Sequence, residues 1–369
     1  MAAKAAKTKE METTKTKPQE SKPSKSGLPP YSKKKSKIED AEKQEAKACN
    51  RHGLYILFRK ELSDHLHSVR FQILFVLLAV VSFMSLYGAV NTLAEAAQAT
   101  SDGTTSTSEC MFLLLFTTSG DSIYSFATFI GFLGPIIGIM LGFDAINEEV
   151  AQGTLNRLAA QPIYRDSIIN AKFLGGAAAV LITVYSIGGL MAAVGMLVTG
   201  LVPSTEETIR FILFLFMAVI YICMWMALAE FFSVVCKHAA TAALACVAIW
   251  LFLTLFQSLV ASGIAGMVYP LTGRNAVANV YNYYKLDVAL NRISPYYLFS
   301  EITTILMNPN VHSTNVISLL ESSEGAVASY LTLGQSLLQI WPHIVFMIAI
   351  TVIIFAAAYI AFMRREIRA

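Results

Sequence analysis

Three carboxylates fall within six residues in the stretch DAINEEVAQGTLNRLAAQPIYR, residues 144–165: Asp144, Glu148 and Glu149. Such groups can act as general acid and base, ligate a metal, or form an acidic handle for another protein. A metal site needs converging oxygens, whereas adjacent Glu148 and Glu149 diverge by about 100° on a helix. Docking fits that geometry better than catalysis. After Gly153, the residues Leu155, Leu158 and Ala159 share one face of TLNRLAAQ, which Thr154 is suited to cap and Gln161-Pro162 to end. Asp166 or Ser167 is placed to cap the next helix. The stretch therefore reads as a short capped helix held between two apolar segments.

Other chemistry is sparse, and no catalytic residue or metal site is expected. There is no GxxxxGK[ST] to cradle phosphates, no HExxH and no GxSxG. No aspartate inside another apolar run could pair with Asp144 for intramembrane proteolysis. His65 and His67 point about 200° apart on a helix. Cys49, Cys110, Cys223, Cys236 and Cys246 show no CxxC spacing, so neither a disulfide framework nor a zinc site is indicated. Glu230 stands alone inside an apolar run, where a carboxylate is costly and invites a functional reading: snorkelling, helix pairing or cation handling. Thr254, Gln257 and Ser258 cluster on one helical face, as a pathway lining or as interhelical hydrogen-bonding groups.

The elements that must carry these residues are membrane helices. The chain is 55% hydrophobic and 14% charged, against about a quarter charged in soluble domains. Apolar runs at Phe71–Val90, Ile123–Phe143, Phe173–Leu201, Phe211–Cys236, Ala239–Ser262 and Ile340–Met363 are each long enough to cross a bilayer, which takes roughly 20 residues. The expected fold class is an all-α integral membrane protein with six transmembrane helices. Residues 1–70 hold seventeen of the 28 Lys and Arg, and Arg157, Arg165, Lys237, Arg364, Arg365 and Arg368 fall on the same side if the spans alternate. Both termini and the island are then cytoplasmic. Residues 1–52 read as a disordered basic tail without the apolar core of a cleavable signal peptide. Its Lys33, Lys34, Lys35 and Lys37 suit anionic lipid rather than nucleic acid.

Within residues 53–369, Leu54, Phe58, Leu62, Leu66 and Val69 form an apolar stripe, an elbow helix lying in the interface before the first span. In the second span Gly134, Gly138 and Gly142 repeat every fourth residue around Pro135, for a hinge, a subunit interface or packing within the chain. Gly175, Gly176, Gly188, Gly189 and Gly195 give the third span the same character. The outer loops are 93–122 and 263–339. The second contains RISPYYLFSEITTILMNPN, a short amphipathic helix expected between Ser294-Pro295 and Asn308-Pro309 as an interfacial belt or cap, with a substrate-facing gate as the sharper alternative.

An aspartate ending span two, a glutamate soon after, Gly-Thr, a leucine-rich turn, a proline, and a lysine early in span three together resemble the permease subunits of ABC-2 type transporters. Here these are Asp144, Glu148 or Glu149, Gly153-Thr154, Leu155 with Leu158, Pro162 and Lys172. FRKELSDHLHSVRF resembles the family's elbow, and the likeness covers about residues 54–369. The resemblance implies a plasma-membrane exporter subunit that pairs with a second permease copy, as a homo- or heterodimer. It implies a separate ABC ATPase carrying ATP and Mg and gripping the coupling segment 144–167. It also implies that spans two and five border the path. A membrane-embedded enzyme or maturation factor using Glu230, and a non-transporting anchor, are the alternative readings.

Overall fold

A computed structural model describes residues 53–99, 111–119, 123–154, 164–272, 276–309 and 331–364. The expected tail 1–52 lies outside them. All described residues belong to one compact unit, Cys49–Ala369. Helix α1 (53–67) breaks at Ser68 before α2 (Val69–Ala99). Then follow α3 (Met111–Thr117), α4 (Phe126–Gly142), α5 (Asn147–Ala151) and α6 (Arg165–Thr199). Next come α7 (Thr205–Val235), α8 (Ala239–Leu251), a π turn at Phe252–Phe256, and α9 (Gln257–Val268). The chain continues through α10 (Ala276–Asn291), α11 (Pro295–Met307) and α12 (Leu333–Arg364). Among the described residues six helical segments are long and apolar enough to cross a membrane.

Each apolar run of the sequence lies largely inside one of these segments, and the differences have local causes. α4 begins at Phe126 rather than Ile123, because Ser125 caps it by accepting from the Thr128 N–H. α6 begins at Arg165, so neither Asp166 nor Ser167 is its cap; Tyr164 occupies that position, and Asp166 Oδ1 accepts from the Ser167 N–H inside the first turn. α7 opens on a capping box between Ser204 and Glu207.

The most buried span is α7, and α4 lies against it in the same direction. Gly134, Gly138 and Gly142 face α7, which assigns them to packing within the chain. A Cβ at Gly142 would sit 2.6 Å from the Met226 carbonyl oxygen and 2.8 Å from the Ala229 Cβ. One at Gly138 would collide with the Ile222 carbonyl oxygen. Without side chains in the seam the two backbones touch, which in lipid replaces a hydrophobic driving force with close van der Waals contact. Pro135 is buried within α4.

At the end where α4 and α7 begin, α3 and α11 close the bundle. Glu207 is 6% exposed and accepts from the Phe112 N–H at 3.1 Å, which fixes the start of α3. The fully buried Arg210 donates to the Leu306 and Leu331 carbonyls, to Ser336 Oγ and to Glu206, tying α11 and α12 to α7. α11 runs between the residues expected from the sequence, with Ser294 as cap. It is not a surface belt: Leu298, Phe299, Ile302, Ile305 and Leu306 belong to the main core.

Replacing Gly138 by Ala forces backbone apart and should cost more than about 2 kcal/mol, as overpacking does. Gly189→Ala meets nothing within 4 Å and should stay within about 1 kcal/mol of the parent. Thermal loss of the monodisperse peak of the purified protein measures both.

Candidate functional site

The carboxylate-rich stretch is built against the opposite end of α7. α4 ends at Gly142, a turn follows, and α5 starts with no cap of its own. Ser233 on α7 substitutes: its Oγ accepts from the Ile146 N–H at 3.0 Å and the Asn147 N–H at 3.2 Å. Ile146 is buried in a small core with Leu57, Ile168, Ile169, Ala171, Val234, Ala358 and Phe362. That core joins α1, the island, α6, α7 and α12. α1 buries Leu57 and Glu61, with Leu54, Leu62 and Leu66 of the stripe read in the sequence packed partly buried beside them, while Val69 is exposed.

Glu61 is 7% exposed and faces Lys172, 6% exposed, on α6. Lys172 Nζ lies 3.1 Å from Glu61 Oε2 and 3.1 Å from Glu149 Oε1, so one ammonium joins α1, α5 and α6. Gly175, one turn further along α6, makes this approach possible, since a Cβ there would lie 2.8 Å from that of Glu61. Lys60 adds ion pairs to Glu61 at 3.3 Å and Asp64 at 3.4 Å, and approaches Glu149 at 4.0 Å. Burial opposes its charge, yet the carboxylates of Glu61, Glu149 and Asp64 hold the Lys60 ammonium above the ordinary lysine range. Burial pushes the His65 imidazole below its usual value, leaving it neutral at pH 7. Beside them, Arg70 Nη1 donates to Asp144 Oδ2 at 2.6 Å, tying the start of α2 to the turn after α4. The cleft among these groups measures about 460 Å³.

The two adjacent glutamates do part company. Glu148 Oε1 accepts from Gln152 Nε2 on the surface, whereas Glu149 turns inward to Lys172. Thr154 folds back, its Oγ1 donating to Glu149 Oε2 at 2.7 Å. Gly153 has a φ of +69°, the left-handed conformation that lets the chain leave α5. Leu155, Leu158 and Pro162 lie outside the described residues. Glu230 is 2% exposed, so it does not snorkel, and its Oε2 has no hydrogen-bond partner among the described residues.

Thr254, Gln257 and Ser258 do not form one polar stripe. The π turn at Phe252–Phe256 changes the register, leaving Gln257 buried and donating to the Leu290 carbonyl while Ser258 is exposed. Among the described residues no three His, Cys, Asp or Glu side chains converge to hold a metal. Sequence reasoning missed Glu61, Lys60, Arg70 and Ser233. The available signal was Glu61 itself, a carboxylate set between Phe58 and Leu62 on an otherwise apolar flank.

Exchanging Lys172 for Met leaves Glu61 and Glu149 facing each other with little water, and should destabilise the protein by about 3 kcal/mol. Adding Glu61→Gln should recover part of that loss, because the two residues share one interaction. Thermal unfolding of the single and double variants in a double-mutant cycle measures the coupling.

The family model for ABC-2 family transporter protein matches residues 55–367. The chain is also 30% identical over 148 residues to the probable ABC transporter permease protein NosY of Pseudomonas aeruginosa, a match covering 39% of this chain and 52% of that protein. It thus spans about half the length of the curated relative it matches. With six membrane-crossing segments and a family match that runs from α1 past the end of α12, the chain belongs to the ABC-2 family of transporter proteins.

Proposed function

We propose that this chain is the permease subunit of an ATP-driven exporter, moved by a separate ATPase that docks on residues 144–165. The observation carrying this reading is the Glu61–Lys172–Glu149 bridge. It fastens the described part of the island, residues 144–154, at once to α1 and α6. A docking handle needs that property: force applied to the island reaches α2 through Asp144–Arg70 and α6 through Glu149–Lys172. Catalysis gains little support, since Glu149 is neutralised by internal partners and Glu148 points elsewhere. Glu148, on the surface, is the carboxylate placed to meet a basic partner.

In this reading the ATPase brings ATP and Mg, which agrees with the lack of a phosphate-cradling motif in the sequence. A second permease copy completes the path. The relative's name, an ABC transporter permease, points the same way. The island and both termini are cytoplasmic, following the distribution of Lys and Arg, and the membrane is the plasma membrane. Leu155 and Leu158 provide the apolar face that enters the ATPase.

Changing both Leu155 and Leu158 to Asp should abolish copurification of the ATPase and leave the permease folded. The retained ATPase is read against wild type on tagged complexes from native membranes. Unchanged copurification of an ATPase, or isolation of an active lone chain, overturns the reading.

A further inference from the structure

At the end of the bundle remote from the ion-pair network, three helices turn hydroxyl-bearing faces into one cavity of about 320 Å³. On α11, Tyr296, Phe299, Ser300, Thr303 and Thr304 follow the i, i+3, i+4, i+7, i+8 spacing of a single helical face, and all five line the cavity. Ser125 and Thr128 come from the start of α4, Thr117 and Thr118 from the end of α3. No charged side chain is among the described residues that line it. The nearby carboxylate of Glu301 is turned away to Arg292, at 2.7 Å, and to His343, at 3.0 Å.

The hydrogen-bonding state of these hydroxyls defines what would fit. Thr304 Oγ1 donates to the Ser300 carbonyl and Thr117 Oγ1 to the Leu113 carbonyl, while Ser125 and Thr128 share a hydroxyl–hydroxyl bond of 2.9 Å. The protons of Thr304 and Thr117 are committed, whereas one proton of the Ser125–Thr128 pair stays free, so the wall both accepts and donates. Thr303 is 7% exposed, and its Oγ1 has no hydrogen-bond partner among the described residues. That oxygen is shut off from the cavity, whereas Thr128 is partly exposed and lines it.

The floor is aromatic. Gly131 admits Tyr296 and Phe299, whose ring atoms would lie 3.1 Å and 3.4 Å from a Cβ there. Tyr221 stacks on Phe299 with centroids 4.6 Å apart and donates to the Gly131 carbonyl at 2.9 Å, which holds the floor in place. A volume near ten times the roughly 30 Å³ share of one water far exceeds a dehydrated cation. A charge entering it would lose hydration and find no countercharge.

We propose that this cavity binds an uncharged polyhydroxylated group, a sugar or polyol, with its hydroxyls on the Ser/Thr walls and its C–H face on Tyr296, which is partly exposed. The binding is independent of ATP-driven transport. The same chemistry is offered by a free solute and by a glycolipid headgroup.

The test uses the full chain in lipid nanodiscs and saturation-transfer NMR with methyl α-D-glucopyranoside and myo-inositol, with choline and methyl phosphate as charged comparisons. The polyols should show saturation transfer and the charged compounds none. Thr128→Val should weaken binding about tenfold, Thr128→Ser should retain it, and Ser300→Phe, at an exposed position, should abolish it by filling the cavity. Competition from a glucosyl-diacylglycerol placed in the nanodisc identifies a lipid-borne headgroup as the source; its absence identifies a free solute. No transfer to either polyol, equal transfer to choline or methyl phosphate, or a signal that survives both Thr128→Val and Ser300→Phe overturns the proposal. None of these readouts involves an ATPase, so failure here leaves the transport reading untouched.

Discussion

The arrangement of this protein at its island end rests on the Lys172 ammonium, which lies two turns into α6 and is almost cut off from solvent. An isolated charge there would be prohibitive, so Glu61 from α1 and Glu149 from α5 must both be present. The requirement is reciprocal, because each of those carboxylates is also buried or nearly so. One electrostatic demand thereby determines where three helices meet, and Gly175 removes the side chain that would hold α1 away. The small apolar core around Ile146 and Leu57 then fills the remaining space.

A second constraint runs the length of the bundle. Gly138 and Gly142 bring α4 into backbone contact with α7, a contact without flexible side chains to absorb displacement. α7 also holds both ends: Ser233 caps the island helix, while Glu207 and Arg210 fasten α3, α11 and α12. The island is consequently attached to a rod that reaches the far side of the molecule. Such a construction suits a protein that must convert a local push into a rearrangement of several helices.

Much of this was legible in the order of residues. The six spans follow from continuous apolar length, which needs no partner to be recognised. The limits of α11 follow from Ser294-Pro295 and Asn308-Pro309, because capping and proline geometry are local. The divergence of Glu148 and Glu149 follows from helical pitch alone, and the structure gives them different partners. Gly134, Gly138 and Gly142 announced a close helix contact but left its partner open, since small residues signal approach without identifying what approaches.

The rest depended on contacts remote in the chain. Glu61 and Lys172 are 111 residues apart, and only packing α1 across α6 makes them one ion pair. The same packing adds Leu57 and Glu61 to the face of α1 that carries Leu54, Leu62 and Leu66. The register of Thr254, Gln257 and Ser258 was lost to a π turn, which extended helical periodicity does not foresee. α11, amphipathic enough for an interfacial belt, became part of the core because Arg210 and the N-terminal end of α7 cover it. The sequence by itself determined the membrane class, the number and approximate place of the spans and their apolar character, all set by local hydrophobicity and backbone chemistry. Tertiary structure alone decided which carboxylate neutralises Lys172 and which hydroxyls share a cavity, because those depend on distances between elements that no local pattern encodes.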